Sequence, residues 1–225
     1  MKLLTFYSDT HKELYERFFL TSYKEYLKES FELIDKYILQ ISKTGEYGAH
    51  GFEETMFEKI TLIINNININ SDEPLVFADC DIQFFGDFKE DIINDLGDKD
   101  ISFQVNDDHN ICAGFFICKQ NIKTLNFFKE VKKRMLQNME NGQLKRGVSD
   151  QSIMNQMFGG GKYKLGKLNP IKYFTVAITN GPTQWNGGDF KVPKEVLMHH
   201  GNWTVGLENK FKIMEYVKKE LTNGN

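Results

Sequence analysis

The order of apolar and polar segments along these 225 residues predicts an α/β fold with a mixed, mostly parallel central sheet flanked by helices. Two observations carry this. Strand-like segments alternate along the chain with segments whose apolar residues recur every three or four positions. The run Leu75 to Ala78 is also apolar on both faces, as strands are inside a sheet covered by helices on each side. The length suits one domain over residues 1–225, with no repeat or low-complexity linker to divide it.

Lys2 to Tyr7 reads as a short buried strand, stopped by the polar Ser8-Asp9-Thr10. Over 11–29, Leu14, Tyr15, Phe18, Phe19, Tyr23, Tyr26 and Leu27 fall at helical spacing, and Thr10 with Glu13 has the pattern of a capping box. Phe31 to Leu39 reads as a second strand, Gly45 to Gly51 as a glycine-bearing loop. Residues 52–67 form a helix with Met56, Phe57, Ile60 and Ile63 on one face. A strand at 75–79, a short helix over Gly86 to Leu96, and strands at Asp100 to Val105 and Ile111 to Cys118 follow. Asn121 to Met139 is a long amphipathic helix carrying Leu125, Phe128, Val131 and Met135. Residues 141–149 are a polar loop with Lys145 and Arg146, and Asp150 to Phe158 a short helix ended by three glycines. Gly and Pro make 180–193 irregular, and a strand at 195–199 and a helix from about 206 to 221 complete the pattern.

Composition removes several functions. A net charge of −3 gives no electrostatic footprint for nucleic acid. Cys80, Cys112 and Cys118 are an odd number without zinc-ligand spacing and read as reduced thiols. No apolar run approaches a membrane span, and the apolar part of the amino terminus is too short for a signal peptide, so a cytoplasmic protein is expected. The glycine-rich fingerprints of dinucleotide and P-loop sites are absent.

Asp79-Cys80-Asp81 stands where the buried strand runs out, at the carboxyl end where open α/β sheets bind ligands. Two carboxylates there suit Mg²⁺ or Mn²⁺, and such a cation would neutralise a diphosphate. On spacing alone two readings stand: a metal–nucleotide site, or an acidic turn that follows a strand.

Five segments, in order, resemble the nucleotide-diphospho-sugar transferases, glycosyltransferases of the GT-A (Rossmann-like) fold. They are Leu3 to Leu14 with Tyr15, Phe19, Leu20 and Ser22; Phe77 to Phe85; Asp100 to Gln104 with Cys112 to Phe116; Asp150-Gln151 with Asn155; and His199-His200-Gly201-Asn202-Trp203 with Gly206 and Lys210. The resemblance implies transfer of a sugar from a nucleotide-diphospho sugar, a UDP-sugar, to a glycan or other hydroxyl acceptor. Its Asp-Gln helix and terminal histidine look more like retaining enzymes than inverting ones. The amino-terminal part would bind the nucleotide, and the carboxy-terminal part would face the acceptor and close the metal site.

The resemblance also assigns roles. Asp81 binds metal directly, and Asp79 contacts metal, ribose or both. The third ligand is His200, with His199 as the alternative, since neighbouring strand residues point to opposite faces. Imidazole with carboxylates favours Mn²⁺ over Ca²⁺, with Mg²⁺ as the alternative cation. Asp150 would face the anomeric carbon and Gln151 a sugar hydroxyl, although Asp150 also suits a helix N-cap. Thr5, Phe6 and Tyr7 lead toward the nucleoside, with Tyr7 stacking on uracil or packing in the core. Gly114 marks a close approach of ligand or backbone, or serves packing, and Ala113 beside it is expected to bind the donor. Lys210, four residues after Gly206 near the start of the last helix, would serve the diphosphate with that helix N-terminus or be an ordinary exposed helical lysine. Cys112 departs from related transferases that carry Asn there, which leaves the sugar open. Trp185, in the irregular 180–193 stretch, either stacks on a sugar from a lid or pins the loop. Without a signal or anchor, the expected setting is cytosolic glycan assembly in a bacterium or a large virus. Two competing readings remain. A nucleotidyltransferase would want a glycine-rich basic loop after the first strand, which Ser8 to Lys12 lacks. A non-catalytic nucleotide-sugar or partner-binding module of the same fold would lack turnover.

Overall fold

The computed structural model describes residues 1–46, 48–107, 109–140, 149–181 and 183–222. Lys145 and Arg146, singled out above, lie outside them, as does Pro182 of the irregular 180–193 stretch. β1 (Lys2–Tyr7) leads through a 3₁₀ turn (Asp9–His11) and α1 (Lys12–Leu14) into a π-helical segment (Tyr15–Leu20) and α2 (Thr21–Tyr26). Then come β2 (Glu32–Tyr37), α3 (Phe52–Asn66), β3 (Leu75–Ala78), β4 (Ile82–Phe84), α4 (Lys89–Leu96), β5 (Ile101–Val105) and β6 (Ile111–Cys118). α5 (Ile122–Glu140), α6 (Asp150–Phe158), β7 (Leu165–Lys167), β8 (Tyr173–Thr175), α7 (Ala177–Asn180), β9 (Met198–His200) and α8 (Leu207–Thr222) follow.

The main sheet has the order β2-β1-β3-β6-β5-β7. All its strands run one way except β6, which is antiparallel to both neighbours, so the sheet is mixed and mostly parallel as expected. Strands β1, β3, β5 and β6 alternate between two apolar layers. Leu4, Phe6, Phe77, Phe103 and Phe116 pack toward α3, α5 and α6. Leu3, Val76, Phe115 and Ile117 pack toward Tyr15, Phe19 and the α4 residues Ile92 and Leu96. Each fully buried Phe contributes about 1.5–3 kcal/mol, which makes this two-sided core the main source of stability.

A second sheet, β4-β9-β8, stands at the edge of the second layer. Its strands have three residues each, too few for a period to show in the sequence. The strand expected at 195–199 is Met198–His200, because only these residues find partners on both β4 and β8. Thr10 does not cap a helix: its Oγ1 hydrogen-bonds Gln40 Oε1 at 3.1 Å, and α1 starts without a side-chain cap. The loop after β2 captures the hydroxyl that a capping box would use.

Trp185 is buried with Val176, Ile213 and Met214, and its indole N–H donates to Gly188 O at 2.9 Å. It pins the loop rather than standing free. No helix among the described residues is long and apolar enough to cross a membrane.

Candidate functional site

A cavity of about 850 Å³ opens at the carboxyl ends of β1 and β3, the size of a small-molecule site. The sheet puts Asp79 on its floor. Its backbone N–H donates to Gly114 O of β6 at 2.7 Å. Two residues on, β4 pairs with β9 in the register Ile82↔His200, and Gly201 N–H donates to Asp81 O at 2.8 Å. That pairing is what carries His200 to Asp81.

Asp79, Asp81 and His200 each offer a ligand atom, all within 4.8 Å of one another. His200 Nε2 lies 3.2 Å from Asp81 Oδ1, and Lys210 Nζ hydrogen-bonds the other carboxylate oxygen and Gly201 O. Burial would raise the Asp81 pKa, but Lys210 and His200 hold it well below the usual carboxylate range. Burial would lower that of His200, but the Asp81 carboxylate overrides it and pushes the imidazole up to about 10. The donor set fits a divalent cation: carboxylate oxygens with an imidazole. The backbone leaves room for it to form. A Cβ on Gly114 would stand 2.3 Å from His200 Cε1 and 2.5 Å from Asp79 Oδ2. Side-chain alternation along β6 also changes phase at Gly114, opposite a register slip in β5 between Phe103 and Val105. Such irregularities re-aim side chains.

His199 points the other way. It is fully buried, packs against the Phe174 ring and meets Gln83 Nε2 at 3.1 Å through Nδ1. Burial first, and the charge of His200 next, push its pKa down to about 3. The strand's alternation thus puts one histidine at the cavity and one in the core.

Asp150 is the first residue of α6, with Ser149 at the capping position. One of its oxygens accepts from Gln151 N–H at 2.8 Å, and the other lies 3.2 Å from Lys59 Nζ. The same ammonium lies 3.3 Å from Asp79 Oδ1 and 5.0 Å above the Phe77 ring. Lys59 is nearly fully buried, yet its pKa is raised: burial would lower it, and Asp150 and Asp79 outweigh burial. It ties the acidic pair of β3 to the start of α6. Its position was open to sequence reasoning, since it stands three residues after Met56 and four before Ile63 on the apolar face of α3. A lysine there needs a buried counter-charge.

Gln151 Oε1 accepts from Ala113 N–H at 3.2 Å, and Asn155 bonds Ile111 through both amide ends, so α6 is stitched to β6. Phe6, Tyr7, Ala113, Gly114, Gln151 and Lys210 all line the cavity. Tyr7 stacks on Tyr15 at 4.1 Å, so one of its ring faces is taken. Thr5 and Gly206 do not reach the cavity wall; Thr5 is fully buried in β1. The wall also holds His11, Cys112, Asn202 and Trp203. Trp203 is the one non-glycine residue with a positive φ (58°) among the described residues, a strained backbone held at the site.

Glu53, at the start of α3, is buried with neither carboxylate oxygen hydrogen-bonded. Burial first, then the charges of Asp150 and Glu54, push its pKa from the ordinary 4.5 up to about 7. A carboxyl raised on folding contributes stability that is full below pH 4.5 and lost as pH rises through about 7. Glu53→Gln is therefore expected to raise the Tm at pH 8 by about 2–4 °C over the unsubstituted protein. At pH 4 the two should melt together. An equal shift at both pH values would refute the raised pKa.

A sequence profile of the nucleotide-diphospho-sugar transferases matches residues 22–214. Among solved structures, the chain superposes on the galactosyltransferase LgtC, determined with donor and acceptor sugar analogues (TM-score 0.58, 10% identity, 96% of each chain). It also superposes on a glycosyltransferase involved in glycosylation of the major capsid of PBCV-1 (TM-score 0.66, 15% identity, 96% of this chain and 98% of that one). A third likeness is to the glycosyltransferase GlyE of Streptococcus pneumoniae (TM-score 0.54, 14% identity, 99% of this chain and 64% of that one). A search of the curated proteins by sequence found no match. At these identities the structures speak for the GT-A fold, while the profile spans most of the chain and its motifs meet in one cavity. The chain belongs to the nucleotide-diphospho-sugar transferase family.

Proposed function

We propose that the protein is a divalent-metal-dependent glycosyltransferase that takes a sugar from a UDP-sugar and passes it, with retention, to a hydroxyl of a glycan or similar acceptor. The observation that carries this reading is the gathering of Asp79, Asp81 and His200 beside Asp150 on one cavity floor. Asp81, Asp79 and His200 would hold Mn²⁺ or Mg²⁺; His199 is turned into the core. When bound, the cation neutralises negative charge as it builds on the departing diphosphate.

The chain's own groups do the rest. Lys210, in the first turn of α8, supplies an ammonium at the same place for the β-phosphate. Gln151 has its carbonyl oxygen fixed by Ala113 N–H, and its NH₂ group is left for a sugar hydroxyl. Asp150, with one oxygen anchored by its own helix and the other by Lys59, presents a carboxylate to an oxocarbenium-like centre. Phe6 and Tyr7 flank the nucleoside end.

Release of UDP from a panel of UDP-sugars, with and without Mn²⁺, tests the activity. Metal-dependent release is expected with at least one donor. No turnover with any donor and acceptor extract would favour a binding module. Product NMR tests the stereochemistry, and an inverted anomeric centre would remove the role given to Asp150.

A further inference from the structure

His200 is held at both ring nitrogens. Nε2 faces Asp81 Oδ1 at 3.2 Å. Nδ1 faces Gln104 Oε1 at 2.9 Å, with Cys112 Sγ farther off at 3.7 Å. Which end of the Gln104 amide meets the ring is decided on its other side. Its Nε2 lies 3.2 and 3.3 Å from the backbone carbonyls of Tyr173 and Phe174. Carbonyls only accept, so the NH₂ group faces them and the amide oxygen faces His200. That oxygen only accepts as well, so Nδ1 carries a hydrogen. Without a cation, Nε2 also carries a hydrogen toward Asp81; a cation at the cluster would displace that one, since Gln104 keeps the hydrogen on Nδ1, and the Nε2 lone pair would then face the cation.

Gln83 imposes the reverse on His199. Its Nε2 donates to Met214 O at 2.9 Å and to His199 Nδ1 at 3.1 Å, which puts the ring hydrogen on Nε2. Two buried glutamines thus fix Nδ1 of two adjacent histidines of β9 in opposite roles, a hydrogen donor in His200 and an acceptor in His199. Only the form at the cavity leaves Nε2 open to a cation. Gln104 reaches this place from the irregular stretch of β5, where the register with β6 slips.

We propose that Gln104 is a positioning residue that holds His200 in its Nδ1–H form, so that Nε2 serves as the ligand of a divalent cation at Asp79 and Asp81. The proposal rests on reading those three residues as a cation site. Groups that fix a ligating imidazole in this way typically govern metal affinity by 10–100-fold.

The test is Mn²⁺ affinity, read from the free-ion EPR signal, for the unsubstituted protein, Gln104→Met, His200→Ala and the double variant. Gln104→Met, similar in volume but without the acceptor, should weaken Mn²⁺ binding about 10–100-fold. In the His200→Ala background it should add nothing, because it acts through that ring. A loss that persists there, or normal binding by Gln104→Met, would overturn the proposal and leave the cation site standing. If the unsubstituted protein binds no Mn²⁺, the cation site itself falls and the proposal with it. Ring-nitrogen NMR of the Zn²⁺-loaded protein needs no variant. Hydrogen on Nδ1 of His200 is expected, and metal on Nδ1 would refute the assignment.

Discussion

Asp81→Asn is expected to lower Mn²⁺-dependent transfer by on the order of 10³-fold. Charge stabilisation of a departing group is worth several kcal/mol, and each 1.36 kcal/mol is about tenfold in rate. Asp81 is nine-tenths buried and carries the only carboxylate that meets both His200 and Lys210 among the described residues. Asparagine keeps its shape but loses the charge. Two cations then face a neutral amide, so some stability is also lost. Rates taken well below the Tm, with Mn²⁺ titrated to saturation, separate the two effects. Unchanged donor affinity and turnover would sink the metal assignment.

Lys59→Met should show itself first in stability. Taking one partner from a buried ion pair costs about 3–5 kcal/mol, and here one ammonium serves two carboxylates. The deficit has a sign with pH. Burial, only partly opposed by Lys59, already raises the Asp79 pKa, and removing Lys59 raises it further. A carboxyl raised on folding costs stability as pH rises through its folded value, so the Tm gap should widen from pH 5 to pH 8. Transfer should fall as well, because Asp150 loses the contact that aims it. A variant that melts like the unsubstituted protein at both pH values would show that the Lys59 bridge carries no energy.

The long elements were legible because their patterns are long. α3, α5 and α8 repeat an apolar period over enough residues to declare their type and buried face, and β1, β3 and β6 declare themselves as apolar runs. β4, β7, β8 and β9 were illegible or displaced, since three residues cannot express a period and their pairing is wholly tertiary. The π-helical turn at Tyr15–Leu20 left no signal either, as it keeps nearly the same apolar face as the helix around it. Thr10 misled because a capping pattern is local, and a distant glutamine claimed the hydroxyl.

The candidate site divides in the same way. Asp79-Cys80-Asp81, Asp150-Gln151 and His199-His200 could be picked out in the sequence because acidic and imidazole groups at element ends are chemically conspicuous. Gln104 could not, because its importance lies in what faces it, and Lys59 on the apolar face of α3 announced the need for a buried counter-charge without saying which. By itself, the sequence determined the α/β class, the buried strand that ends in two aspartates, and the family, since these rest on order and spacing along the chain. Only the tertiary structure decided which histidine meets those aspartates, what bridges them to Asp150, and which nitrogen of the ring is left open. Those are matters of register between strands and of hydrogen-bond partners from distant segments, and the physics that sets them acts across space rather than along the chain.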